Sequence, residues 1–438
     1  MTEFTETINN IIWGPATIIL ILCCGIYFTV KTGFFQIRHF KDVIVKTIFS
    51  GIKKRARKVS SFQALSAALA GTIGTGNIAG VATSIALGGP GAVFWMVVSA
   101  FFGMMTKYAE VLLAVKFRTK SNNGDFSGGP MYYMEKGLGL RSLGIIFAIL
   151  LALSAFGIGN MVQSNSVSAA LSDSFGIKNS ASGIFLTLIC FFVIIGGAKK
   201  ILSATEIIVP VMALFYMAGT IIFLIINYKN IPTAFSSIIS DAFSFSKISG
   251  GVSGFAISKA VKYGITRGVF TNEAGLGSSP VAHASAYTND PSEQGLWGIF
   301  EVFFDTVVMC TLTALVILTA DGGKIATSGL SGIELTIKSF ESIFGEFGGI
   351  FISFSIIFFA VATILGWALY GEKAILYLTK ENKTALFVYK ILYISAIYIG
   401  SIMSLDTVWT LSDTLNGLMA IPNICTLFLL RKHVIKEI

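Results

Sequence analysis

Charge is scarce in this sequence. Asp, Glu, Lys and Arg make up 13% of its 438 residues, against about a quarter in an ordinary soluble domain, so water is not the solvent for most of the chain. Histidine is scarcer: His39, His283 and His433 are not clustered for a metal site, and none pairs with a serine inside an apolar run, as an intramembrane enzyme with a nucleophile and base would need. The five cysteines (Cys23, Cys24, Cys190, Cys310, Cys425) all lie in apolar runs without a Cys-x-x-Cys pair and read as small buried hydrophobes. The phosphate-binding Gly-x-x-x-x-Gly-Lys-Ser/Thr pattern is missing, which argues against ATP drive within the chain. Gly74, Gly76 and Ala79 mimic a dinucleotide fingerprint, but no strand precedes them and no βαβ unit surrounds them, so the match is empty. Met1 to Asn10 carries Glu3 and Glu6 and no basic residue. It therefore lacks the positive region of a signal peptide, and the first apolar run is expected to stay in the protein.

What is present is apolar: 54% of residues are hydrophobic and the mean hydropathy is +0.77. Eleven windows read as helices of an all-α integral membrane protein: about 11–30, 62–88, 91–115, 143–172, 181–197, 205–227, 252–287, 295–320, 346–371, 385–404 and 407–430. The net charge of +9 resides in short loops, a positive-inside pattern rather than a nucleic-acid surface. Nine Lys or Arg fall in 31–60, including Lys53, Lys54, Arg55, Arg57 and Lys58, which places that segment in the cytoplasm. Alternation then gives inner segments with Lys116, Arg118, Lys120, Lys136 and Arg141, with Lys199 and Lys200, with Lys373, Lys380 and Lys383, and with Arg431, Lys432 and Lys436. Outer segments hold only scattered lysines: Lys178, Lys229, Lys247, Lys324 and Lys338. The expectation is a multi-pass protein of the cell (plasma) membrane, N-terminus outside and C-terminus cytoplasmic. The stretch 121–142, with Gly128, Gly129 and Pro130, reads as a cytoplasmic loop or a short surface helix.

Two windows carry too much glycine and too many polar groups to be plain spans. The second holds Gly71, Gly74, Gly76, Asn77 and Gly80 with hydroxyls at Thr72 and Thr75, although each interior Gly costs a helix roughly 1 kcal/mol relative to Ala. A small-residue packing face is one reading. The other is a helix unwound at the midplane, its freed carbonyls available to a cation and its half-helix N-terminus to a carboxylate. Window 252–287 is too long and polar for one helix, and Gly268 to Pro280 supplies a second interruption. It follows five spans after the first. An odd repeat inverts its second copy across the membrane, so paired interruptions at corresponding positions favour a transporter.

Other polar residues sit where lipid makes them costly. Gln163, within a run containing Gly157, Gly159, Asn160, Asn165 and Ser166, suits an amino-acid ligand by donating and accepting, or forms an interhelical hydrogen bond. Thr363, Gly366 and Trp367 make a mixed patch in the ninth window, where Trp367 walls a pocket or packs. Glu301 and Asp305 are an i, i+4 pair, open to a proton relay or, more plainly, to pairing with Lys107 or Arg267. Asp413 and Asn416 pose the same choice.

The motifs together resemble the alanine or glycine:cation symporter family, amino-acid transporters with the leucine-transporter-type fold. They are Gly71 to Ala82 (GTIGTGNIAGVA), Gly88 to Trp95 (GGPGAVFW), Thr106 to Glu110 (TKYAE), Gly128 to Met134 (GGPMYYM), Gly268 to Pro280 (GVFTNEAGLGSSP), Leu365 to Lys373 (LGWALYGEK) and Asp413 to Pro422 (DTLNGLMAIP). The resemblance covers nearly the whole chain. It implies one transporter domain, 1–438, with five-helix repeats at 62–227 and 252–430, inverted relative to each other, and an additional N-terminal helix at 11–30. It further implies import of alanine or glycine by symport with sodium, or with protons in its place. No cofactor is implied beyond sodium as coupling ion. Carried over by position, the amino acid would contact Ile73, Gly74, Thr75, Gly76, Asn77, Gln163, Phe270 and Trp367. Sodium would be held near Thr72 and Thr75, with the hydroxyl of Thr363. Departures are Val97 for a common second Trp, Met105 for a small residue, and His283 for a common Ala; His283 adds pH sensitivity or, more plainly, faces a loop. A channel would need a continuous lined pore, and a structural or sensor role would leave the paired interruptions unexplained.

Overall fold

The apolar windows form helices, and a computed structural model describes them over residues 12–49, 58–121, 124–243 and 259–438. Glu3, Glu6, Lys53, Lys54, Arg55, Arg57, Lys247, the first residue of window 11–30 and the start of window 252–287 lie outside the described residues. In chain order the main helices are α1 (Pro15–Lys31), α2 (Ser61–Thr72), α3 (Ala79–Gly88), α4 (Gly91–Lys116), α5 (Arg141–Phe156), α6 (Val162–Phe175), α7 (Asn179–Ile194), α8 (Ala198–Ile226), α9 (Lys259–Asn272), α10 (Pro280–His283), α11 (Pro291–Val302), α12 (Thr311–Thr319), α13 (Glu346–Leu378), α14 (Lys383–Ile402) and α15 (Leu405–Leu429). Among the described residues, six helical stretches are long and apolar enough to cross a bilayer, or seven if the bent α2–α3 pair is one span. α1 and α7 are apolar but shorter.

The outer faces are what lipid requires. On α8, Ile207 is 68% exposed, Leu214 67% and Ile225 65%, a surface water would not tolerate at this extent. The inner faces are close-packed and include buried polar residues, among them Thr72, Thr75, Asn77, Thr271, Asn272 and Glu273 at the two interruptions.

Several elements were not legible as drawn. Segment 121–142 contains the strand Phe126–Ser127, which pairs antiparallel with Thr119–Lys120 just before the segment, and the helix Pro130–Leu138, which buries Met131, Tyr133 and Met134 rather than lying on a surface. Two further helices, Ile231–Ala242 and Gly332–Phe344, fill segments between windows, each burying one face. α5 runs into α6 through a π-helical turn, Gly157–Met161, and α11 into α12 through another, Phe303–Cys310. Such bulges rotate the side chains that follow and recur at functional sites.

Candidate functional site at the two broken helices

The first interruption is built from local chemistry. A capping box starts α2, with Gln63 N donating to Ser60 Oγ at 3.0 Å and Ser60 N to Gln63 Oε1 at 3.1 Å. The helix ends where Ile73 turns extended (φ −77°, ψ 95°), and a 3-10 turn, Thr75–Asn77, leads into α3 at a bend of 58°. Asn77 replaces the missing main-chain bonds: its Oδ1 accepts from Gly74 N at 2.9 Å. Its Nδ2 donates to Asp305 Oδ1 at 2.7 Å.

The second interruption lies between α9 and α10. Glu273, Gly275 and Gly277 all take positive φ (56°, 95° and 78°), a strained conformation for the glutamate. Asn272 Oδ1 accepts from Ala274 N at 2.9 Å, and Glu110 Oε1 accepts from Gly275 N at 3.0 Å. Ser278 donates its hydroxyl to the Glu273 carboxylate. The two interruptions touch, since a Cβ on Gly76 would sit 2.9 Å from Thr271 Cγ2 and 3.5 Å from Phe270 Cδ1. Gly71 to Gly80 is thus unwound at Ile73 to Asn77 and also close-packed, at Gly71 and Gly76.

α13 presents Thr363, Trp367 and Tyr370 to α2 along one face, at the i, i+4, i+7 spacing of a helix stripe. Thr363 Oγ1 is 3.3 Å from Ile73 O and 3.0 Å from Phe359 O. Trp367 Nε1 lies 3.3 Å from Gly71 O and 3.0 Å from Glu273 Oε1, and its Cβ packs so closely on Gly159 that no side chain fits there. Gln163, set by the π-turn, accepts from Thr75 N at 3.1 Å and donates to Ile158 O at 2.9 Å. A Cβ on Gly74 would meet both Thr363 Oγ1, at 2.5 Å, and Gln163 Oε1, at 3.1 Å. The residues singled out by sequence thus converge: Ile73, Gly74, Thr75, Gly76, Asn77, Gln163, Thr363 and Trp367 share one buried locus, with Phe270 beside Gly76. Thr72 is adjacent, but its hydroxyl is 3.3 Å from Ala68 O within its own helix. The Thr75 hydroxyl is buried without a hydrogen-bond partner, which is costly unless something polar reaches it.

Two residues at the site, Asp305 and His283, have partners the sequence did not reveal. Asp305 meets Asn77 and, at 2.8 Å, the Thr306 hydroxyl, rather than Lys107 or Arg267. Glu301 does pair with Lys107 at 3.6 Å, and Lys107 Nζ also reaches Ser279 Oγ at 2.6 Å. His283 does not face a loop: it is fully buried, 2.9 Å from Glu301 Oε2 and 2.9 Å from Gln294 Nε2. Its partners stand 11 and 18 residues further along the chain, beyond the reach of local periodicity.

Above the interruptions opens a cavity of about 730 Å³ whose lining includes Trp13, Thr83, Lys262, Arg267, Trp409 and Asp413. Arg267 pairs with both Asp413 oxygens at 3.3 and 3.2 Å, and its guanidinium stands 4.8 Å from the Trp409 ring centroid. Trp409 stacks on Phe270 at 5.1 Å. Through Trp409 and Phe270 this aromatic and ionic layer runs from the cavity lining to Gly76.

Comparison with known proteins agrees with that geometry. A sodium/alanine symporter AgcS of Methanococcus maripaludis is 47% identical over 99% of this chain and 96% of its own length. A probable sodium/glutamine symporter GlnT of Bacillus subtilis is 40% identical over 97% of this chain and 87% of its own. Among solved structures, a Na+-coupled sialic acid symporter in a substrate-bound outward-open state matches with a TM-score of 0.56 at 15% identity, over 97% of this chain and 86% of that one. That likeness shows the fold, which is of the leucine-transporter type. The profile of the sodium:alanine symporter family matches residues 1–438, and the chain belongs to that family.

Proposed function

We propose that this protein imports a small neutral amino acid, alanine or glycine, together with sodium, by alternating access around the two broken helices. Family membership makes it a sodium-coupled amino-acid symporter of a membrane, and a transporter rather than an enzyme. The observation that carries the finer reading is the meeting of both interruptions at one buried locus, with Gln163, Thr363 and Trp367 around it. Unwound backbone at membrane depth is tolerated only where protein or a wet cavity receives it.

In this reading sodium takes carbonyl oxygens at Thr72 and Thr75 and the Thr363 hydroxyl. The amino acid's carboxylate faces the N-terminus of α3, and its ends are held by main chain from Ile73 to Asn77 and by Gln163. Phe270 and Trp367 close the apolar sides. The tight approach of Gly74 to Thr363 and Gln163 supports a small side chain, although one methylene discriminates by only about 1–3 kcal/mol. Sodium and solute stabilise the same arrangement of the interruptions, so binding is positively coupled. One charge entering across 100 mV contributes about 2.3 kcal/mol to accumulation.

The ten-helix core is read as repeats 62–227 and 252–430 in opposite orientation, with the N-terminal helix added outside it. The N-terminus is outside and the C-terminus inside, as the basic segments require, and the 730 Å³ cavity is then the outer mouth. The test is competition in proteoliposomes: alanine and glycine should displace labelled alanine, whereas serine should do so weakly and glutamine not at all. Displacement by glutamine as strong as by glycine would refute the small-solute reading. Uptake driven by a pH gradient alone would make the coupling ion a proton, and saturable, concentrative uptake excludes a channel.

A further inference from the structure

α1 stands outside the two repeats, yet the residues that precede it reach the layer that floors the outer cavity. Trp13 lines that cavity, is 3% exposed, and donates its indole N–H to the Asp413 carbonyl at 2.7 Å across 400 residues of sequence. One turn further along α15, Gly417 has no side chain where Ile12 packs and where the Trp13 Nε1 would lie 3.0 Å from a Cβ. The contact is therefore fitted on both sides. Asp413, at that fastened turn, holds Arg267, which lies under Trp409, which stacks on Phe270. Pro422 lies within α15 further along, a residue that removes a main-chain bond and permits a hinge. Trp13 is attached to the part of α15 that precedes this proline.

We propose that the N-terminal segment is a working part of the outer gate: Trp13, through the Asp413 carbonyl, positions the outer half of α15 so that Asp413 meets Arg267 and the layer over the buried locus stays closed. Trp13 is a positioning residue and touches neither solute nor ion. The inference rests on reading the cavity as the outer mouth, so its test needs a readout independent of which solute is carried. Cys310 provides one, being buried beneath the layer, 3.3 Å from Asn77 Nδ2 and 3.8 Å from Thr271 Oγ1.

The experiment uses full-length protein in proteoliposomes, labelled from outside with a small impermeant thiol reagent and read at Cys310 by peptide mass spectrometry. The chains compared are wild type, Trp13→Phe, Asp413→Asn and the double variant; Trp13→Phe keeps an aromatic ring while removing the N–H with the pyrrole part of the indole. Labelling of Cys310 should be about fivefold faster in each single variant, the ratio that losing one ordinary hydrogen bond corresponds to, and no faster in the double. External KM for alanine should rise in parallel. Unchanged labelling in Trp13→Phe, or effects that multiply in the double variant, would overturn the proposal, because independent sites add. If wild type imports no alanine but the labelling pattern holds, the transport reading fails and the gate role of Trp13 stands.

Discussion

The indole N–H of Trp367 lies 3.0 Å from the Glu273 carboxylate and 3.3 Å from the Gly71 carbonyl, so one donor reaches both broken helices. Glu273 occupies a left-handed backbone position (φ 56°) that a side chain other than glycine adopts at a cost, and its carboxylate is held in addition by Ser278. Strain at such a position persists where the surroundings over-determine it. The indole is thus one of the contacts that join the two interruptions, beside that of Gly76 with Thr271 and Phe270.

Replacing Trp367 with Phe removes that donor and keeps most of the ring. Transport should fall by roughly tenfold, since a hydrogen bond to a carboxylate contributes about 1.5–3 kcal/mol. Glu273→Gln keeps an acceptor for the indole and should retain more activity than Glu273→Ala. Initial uptake rates, normalised to monodisperse protein in the membrane, check the order.

Gly74→Ala would place a methyl 2.5 Å from Thr363 Oγ1 and 3.1 Å from Gln163 Oε1. The variant should fold, because only side-chain ends need to move, but the sodium concentration for half-maximal uptake should rise several-fold. A sodium titration at fixed alanine reads this. Gly80→Ala, where a Cβ meets nothing within 4 Å, is the control and should leave the titration unchanged.

Lys107 is buried with Glu301 at 3.6 Å and Glu110 at 3.9 Å. Lys107→Met strands both carboxylates and should destabilise by about 3–5 kcal/mol, the usual result of removing one member of a buried pair. Lys199, 78% exposed and 3.6 Å from Asp125, is the contrast: Lys199→Ala should leave the thermal midpoint unmoved. Thermal unfolding in detergent distinguishes them.

Asn77 caps Gly74 N and donates to Asp305. Asn77→Ala removes both bonds at once and leaves the Asp305 carboxyl buried with one fewer donor, at a cost of about 1–3 kcal/mol for the unmet group. Alanine uptake should be lost, and Asn77→Ser, too short to bridge, should not rescue it.

Much of this site was legible because its chemistry is local. Glycine-rich stretches at 71–80 and 268–280 cannot be comfortable helix, and Thr363, Gly366 and Trp367 repeat along one helix face, so their convergence follows once the two interruptions pair. Gln163 stood out as an amide in an apolar run. What was not legible depends on partners distant in sequence or on backbone irregularity. The i, i+4 spacing sets Asp305 beside Glu301, but the π-turn Phe303–Cys310 carries it towards Asn77 instead. His283 looks like a loop residue until Gln294 and Glu301 fold against it. The bond from Trp13 to Asp413 spans almost the whole chain, and no periodicity announces it. Helix Gly332–Phe344 has 13 residues and carries Glu334, Lys338 and Glu341, too short and too polar for a membrane window.

The most direct test of the central claim is radiolabelled alanine uptake by purified protein in liposomes, under an inward sodium gradient, matched potassium, and an imposed pH gradient, for wild type and Gln163→Ala. Concentrative uptake that requires sodium, and that falls when Gln163 no longer meets Thr75 at the first interruption, is the expected result. If folded wild-type protein accumulates neither alanine nor glycine under any of these gradients, the paired broken helices do not form the amino-acid site described here.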